Sequence, residues 1–121
     1  MDKGRKISGG RYKGQRKKKH YEKEGKVRTV KLKETKKKKI KIRGGKEKTV
    51  LLSADTANIM DKKTKKSRKA KIITVIETPS NRFLARQNIL VKGAIINTEI
   101  GKAKITNRPS QEGAVEAVLI D

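Results

Sequence analysis

Lys71-Ile72-Ile73-Thr74-Val75-Ile76-Glu77 is the stretch that decides the fold. An apolar, mostly β-branched run this short, closed by a charge at each end, falls short of a buried helix. Its side chains fit a pleated surface better than a helix, where branching at Cβ crowds the preceding turn. The run predicts a strand, and Ala57–Met60 upstream predicts its hairpin partner. Further out lie Val50-Leu51-Leu52, Ile89-Leu90-Val91, Ala94-Ile95-Ile96 and the stretch from Val115 to Ile120. Nearer the N-terminus the pattern has period two. Val30 and Leu32 alternate with Lys31 and Lys33, and Ile40 and Ile42 alternate with Lys39, Lys41 and Arg43. Alternation marks a half-buried strand. Gly44-Gly45, Asp61-Lys62-Lys63, Thr78-Pro79-Ser80-Asn81, Gly93, Gly101, Arg108-Pro109 and Gly113 punctuate the runs with turn chemistry. Short strands at this spacing predict an all-β fold, a small antiparallel β-barrel. Ile40, Ile42, Ile72, Val75, Ile76, Ile95, Ile96, Val118 and Leu119 are its expected core.

Two segments break the pattern. From Asp61 to Lys69 no residue is apolar, which predicts a flexible basic loop over 61–71. Asn81-Arg82-Phe83-Leu84-Ala85-Arg86 is too short to choose between a helical turn and a loop, and is read as an irregular turn.

The charge is as uneven as the hydropathy. The 121 residues contain 35 Lys and Arg against 12 Asp and Glu, a formal net charge of +23. Residues 1–49 hold 22 of the cations and 5 of the acids; residues 50–121 hold 13 and 7. Within residues 1–26 the sizeable apolar or aromatic groups are Met1, Ile7, Tyr12 and Tyr21. So little apolar surface cannot offset the entropy of ordering the backbone. The expected organisation is therefore a basic tail over 1–26, disordered when free, and a barrel domain over 27–121.

An excess of this size repels itself unless a polyanion neutralises it, and nucleic acid is the commonest polyanion. A membrane surface would call for an amphipathic helix with bulky apolar residues on one face, and the sequence has none. No run of about 18 apolar residues is present. Enzyme chemistry finds little to stand on. There is no cysteine and one histidine, His20, so no cysteine–histidine zinc set. Gly101-Lys102-Ala103 lacks the rest of a phosphate loop. Asp55, Asp61, Glu77 and Glu99 are scattered and read as turn caps or lysine partners. No cofactor, metal or small-molecule substrate is expected. The lack of cysteine also fits the cytoplasm.

Basic chemistry remains. Lys3, Arg5, Lys6, Arg11, Lys13, Arg16, Lys17, Lys18 and Lys19 form one dense run with Gly4, Gly9, Gly10 and Gly14 inside it. Arginine grips phosphate with a planar fork, lysine supplies point charge, and glycine lets the backbone approach closely. Lys62, Lys63, Lys65, Lys66, Arg68 and Lys69 crowd the 61–71 loop. Arg43, in Arg43-Gly44-Gly45, sits at an expected tight turn. Arg82, Arg86 and Arg108 stand beside short turns that would hold them in place, and Lys92 precedes Gly93. These twenty residues are the candidate RNA contacts. The scarcity of aromatics, Tyr12, Tyr21 and Phe83, argues that phosphate charge and shape dominate recognition. A DNA-compacting chromatin protein is the alternative, although no exposed apolar wedge for a minor groove is evident.

One family fits these residues in order. Gly4-Arg5-Lys6-Ile7-Ser8-Gly9-Gly10-Arg11 opens the tail, followed by Arg16-Lys17-Lys18-Lys19-His20-Tyr21-Glu22 and Arg43-Gly44-Gly45. Asn81-Arg82-Phe83-Leu84 leads to Lys92-Gly93-Ala94-Ile95-Ile96. Thr98-Glu99-Ile100-Gly101-Lys102-Ala103 and Thr106-Asn107-Arg108-Pro109-Ser110-Gln111-Glu112-Gly113 follow. The chain resembles, over nearly its whole length, the small-subunit ribosomal proteins that are eighth in the eukaryotic series, in their short archaeal form. The resemblance implies a β-barrel body, a basic extension on small-subunit ribosomal RNA, neighbouring ribosomal proteins as partners, a cytoplasmic ribosome and no catalysis. A monomer is expected when the protein is free. Lys46 stands where the family commonly has Asn. Ser110 and Glu112 stand where it often has Gly and Asp, so a positive φ is not expected at 110.

Overall fold

The computed structural model describes residues 4–12, 16–25 and 27–120. Nine strands and one short helix follow in chain order: β1 (Val30–Leu32), β2 (Lys36–Lys41), β3 (Glu47–Ala54), β4 (Thr56–Met60), β5 (Ser67–Glu77), α1 (Arg82–Arg86), β6 (Ile89–Leu90), β7 (Ile95–Thr98), β8 (Gly101–Ile105) and β9 (Glu116–Leu119). The all-β reading holds. β4, β5, β7, β8 and β9 form a closed barrel. Its neighbours run antiparallel except at the seam, where β4 and β9 pair in parallel with Asn58 opposite Glu116 and Met60 opposite Val118. A second sheet, in the order β2-β3-β1-β6, packs beside it and contains another parallel pair, β1 with β3. Strand periodicity carries no information on which strand meets which, so neither the second sheet nor the parallel seam was legible beforehand.

The two sheets share one aliphatic core. Val30, Leu51 and Leu90 come from the open sheet; Ile59, Ile96 and Ile105 come from the barrel. Ala57, Ala70, Ala103 and Ala117 are buried among them. Five strands enclose a narrow interior, which suits small side chains interleaved with large ones. Ile72, Val75 and Ile96 are core as expected. Ile42 and Ile76 are not: they are 45% and 44% exposed. Ile42 lies just past the end of β2. β5 carries register irregularities between Ile72 and Thr74 and between Val75 and Glu77, which break strict alternation and turn Ile76 outward. Ile40, Ile95, Val118 and Leu119 are half-buried.

Three local expectations change. β5 begins at Ser67, so the basic loop covers 61–66 and not 61–71. Arg68 and Lys69 are strand residues, paired with Ile59 and Asn58. The expected irregular turn over 81–86 is instead a short helix, Arg82–Arg86: Asn81 Oδ1 accepts from Phe83 N at 3.0 Å and caps α1. Gly101 does more than mark a turn, since it opens β8 directly after the two-residue hairpin Glu99-Ile100. At Arg43-Gly44-Gly45 the expected turn is present. Gly44 and Gly45 take φ of 77° and 71°, a region that costs residues with a Cβ, and Ile42 N bonds Lys46 O at 2.8 Å. Ser110 has no positive φ, as its side chain implies.

Candidate nucleic-acid interface

Of the tail cations, Lys3 and Lys13 lie outside the described residues. Arg5, Lys6, Arg11, Arg16, Lys17, Lys18 and Lys19 are all exposed. Residues 5–11 fold back on themselves: Arg5 and Arg11 form an isolated bridge, and Lys6 N donates to Gly10 O at 2.7 Å. Arg16 grips Glu22 with both terminal guanidinium nitrogens, at 2.8 and 2.6 Å, across a 3-10 turn over His20–Glu22. That fork, with the backbone N–H of Lys19, holds the Glu22 carboxyl below its ordinary value. Ile7 and Tyr21 stay fully or largely in solvent, and Tyr12 is half exposed.

The remaining cations fall into places set by the fold. In the β4–β5 loop, Asp61 N donates to Lys66 O at 3.0 Å, while the Asp61 carboxylate accepts from Thr64 Oγ1 at 2.8 Å and Lys63 N at 2.9 Å. The closed loop leaves Lys62, Lys63, Lys65 and Lys66 exposed around its rim. Lys66 and Arg68 edge a small hollow with Asp61, Thr64 and Ile100. Lys69 faces a cleft of about 400 Å³ between sheet and barrel, together with Lys37, Thr35 and Asp55. Arg82 and Arg86 line a separate groove of about 430 Å³ against the C-terminal half of β5. Thr78 lines that groove, 2% exposed, and its hydroxyl has no hydrogen-bond partner among the described residues.

Arg108 is exposed on a turn that is firmly built. Asn107 Nδ2 donates to Glu112 Oε2 and to Ala114 O, both at 2.8 Å, and its Oδ1 accepts from Glu116 N at 3.0 Å. Arg43 and Lys92 are exposed on glycine turns.

The structure thus gathers Lys66, Arg68 and Lys69 near the start of β5 and Arg82 with Arg86 near its end. Eight strand residues, 70–77, lie between Lys69 and the end of β5, roughly 26 Å of strand at the usual rise per residue.

The sequence reading left out the lysines of β2. Lys36, Lys37, Lys38, Lys39 and Lys41 are exposed on a strand whose sheet neighbour is β3 alone. Four consecutive lysines were the available signal, but alternation made them look like the wet face of an ordinary strand. Lysine also guards a sheet edge against pairing with another chain, and both uses are compatible.

Little inside the protein offsets this charge. Twelve carboxylates face 35 cations, and several are engaged in holding the fold. Asp55 takes the Thr35 hydroxyl, Asp61 closes its loop and Glu112 takes Asn107. The Lys39–Glu47 pair, at 3.7 Å and well exposed, contributes little.

Comparison with known proteins places this arrangement. Residues 1–120 match the family described as ribosomal protein S8e. The small ribosomal subunit protein eS8 of Methanocorpusculum labreanum is 44% identical over 117 residues, which cover 97% of this chain and 94% of that protein. The protein of the same name from Sulfolobus acidocaldarius is 43% identical over 121 residues, 96% of this chain and 91% of its own. A third, from Hyperthermus butylicus, is 51% identical over 82 residues, a stretch that spans 60% of its length. With a match that runs through tail, open sheet and barrel alike, the chain belongs to the ribosomal protein S8e family.

Proposed function

We propose that the chain is a structural constituent of the small ribosomal subunit and binds ribosomal RNA through its basic tail, the 61–66 loop with the start of β5, α1 and the Arg108 turn. The observation that carries this is the placement of the charge. An aliphatic core closes without using it, and the cations stand on exposed extensions and turns, where few carboxylates meet them. Membership of a ribosomal protein family makes the protein structural and not an enzyme. In this reading residues 1–26 act as an RNA-binding tail and residues 27–121 as the body that positions the remaining contacts. Neighbouring ribosomal proteins complete the set of partners on a cytoplasmic ribosome, and the free protein is a monomer.

Salt dependence tests the tail. Residues 1–24 contain ten Lys and Arg. Each phosphate contact adds about 0.7–0.9 to the slope of log affinity against log salt. Deleting 1–24 should lower the slope for a ribosomal RNA fragment by several units. An unchanged slope would move the electrostatic contacts to the barrel. Equal affinity for duplex DNA would favour a chromatin-type role instead.

A further inference from the structure

α1 has an aromatic residue on the wrong face for packing. At 100° per residue, Leu84 and Ala85 point one way, and Arg82, Phe83 and Arg86 share an arc on the other side. Burial agrees. Leu84 and Ala85 are half-buried, with Ala85 packed against the core, while Arg82, Phe83 and Arg86 are exposed. Phe83 is 57% exposed, and the Arg82 guanidinium lies 5.7 Å from its ring centroid. Asn81 caps the helix, and Asn88 ties its far end to β5 by accepting from Thr74 Oγ1 and Val75 N, both at 3.2 Å. The ring is therefore carried on a fixed element.

The other two aromatics follow the same rule. Tyr12 is 53% exposed with Lys6 Nζ 5.6 Å from its ring, and Tyr21 is 76% exposed in the basic tail. The chain has three aromatic residues, and the core uses none. Large rings are the cheapest way to bury apolar area, so a core built without them leaves their outward placement to be explained by a partner.

We propose that Phe83 is a stacking platform for an unpaired RNA base, with Arg82 and Arg86 on the phosphates that flank it. The inference rests on the RNA reading above and adds single-stranded or bulged nucleotides as the class recognised at α1. An exposed ring offers its π-face to any base. The two arginines stand one helical turn apart on the same side, and no carboxylate pairs with either among the described residues. Glu77 is the acidic residue lining the adjoining groove. The charge favours nucleic acid over an apolar protein surface as the occupant.

The test uses the full chain, a single-stranded oligoadenylate of about 12 nucleotides and a fully paired RNA duplex of the same length. Phe83→Ala should weaken oligoadenylate binding about tenfold or more and leave duplex binding within about twofold. Phe83→Leu, which keeps apolar bulk without a ring, should behave like the alanine variant. Phe83→Trp should keep the affinity, and its emission, that of the sole tryptophan in the chain, should be quenched by oligoadenylate and not by duplex. Unchanged affinity in the alanine variant, or an equal loss on both RNAs, would overturn the platform. So would a wild-type protein that binds duplex alone. A wild-type protein that binds neither RNA would sink the RNA reading itself.

Discussion

At the scale of single residues, the value of an isoleucine depends on which way the strand turns it. Ile95 and Ile96 are adjacent and chemically identical. Ile96 is fully buried in the shared core, and Ile95 is half-buried. Ile96→Ala should cost about 2–5 kcal/mol, the range for deleting a buried branched chain and leaving a cavity. Ile95→Ala should cost clearly less, and chemical denaturation of the two variants measures the gap. Asp61 works through hydrogen bonds. The Thr64 hydroxyl, then the Lys63 N–H, hold its carboxyl below the ordinary value. A carboxylate lowered by folding adds stability above its unfolded pKa and loses it as pH falls through the folded value. The loop should therefore stay closed at neutral pH and open progressively below about pH 4. The Lys63 amide resonance, followed by NMR down the pH scale, reports the opening. Asp61→Ala should open the loop at every pH.

At the scale of elements, the β4–β5 hairpin shows how a charge run can mislead. Residues 61–71 looked like one polar arm because Asp61 to Lys69 contains nothing apolar. The backbone still pairs across the barrel: Met60 opposes Ser67, Ile59 opposes Arg68, and Ala70 beyond them is buried. Ladder hydrogen bonds do not depend on side-chain polarity, so the strand extends into sequence that reads as loop. Hydrogen exchange should divide the segment at Ser67. Amides in 62–65 should exchange fast, and ladder amides in 67–71 should be protected like the rest of β5. Uniformly fast exchange through Lys71 would restore the longer flexible arm. α1 errs in the opposite direction. Five helical residues are too few to register as a period, and the helix exists because Asn81 caps it and Leu84 and Ala85 find the body to pack on.

At the scale of the whole molecule, charge and core are kept apart. The apolar residues of β1 and of β3 through β9 close one interior. The cations occupy the tail, the edge strand β2, the two ends of β5 and the Arg108 turn. A body organised this way should not need the tail. A fragment of residues 27–121 should fold alone and give an all-β circular dichroism spectrum. A helical or random-coil spectrum would mean that the tail supplies structure to the barrel. The same separation spreads the positive surface over a distance of several phosphates, which suits a folded RNA better than a point ligand.

Strand character was determined by the sequence alone, because β-branched runs and period-two alternation are local properties of the chain. So were the large positive excess, since net charge needs no coordinates, and the turn at Arg43-Gly44-Gly45, where two glycines tolerate φ values that other residues avoid. Tertiary structure alone decided the division into an open sheet and a barrel, and the parallel seam between β4 and β9. It also decided the outward turn of Ile76 and Phe83. The sheets, the seam and Ile76 depend on which distant strand supplies the partner for a backbone edge, and Phe83 on which face of α1 finds the body to pack on; contacts between residues far apart in sequence leave no mark on local hydropathy.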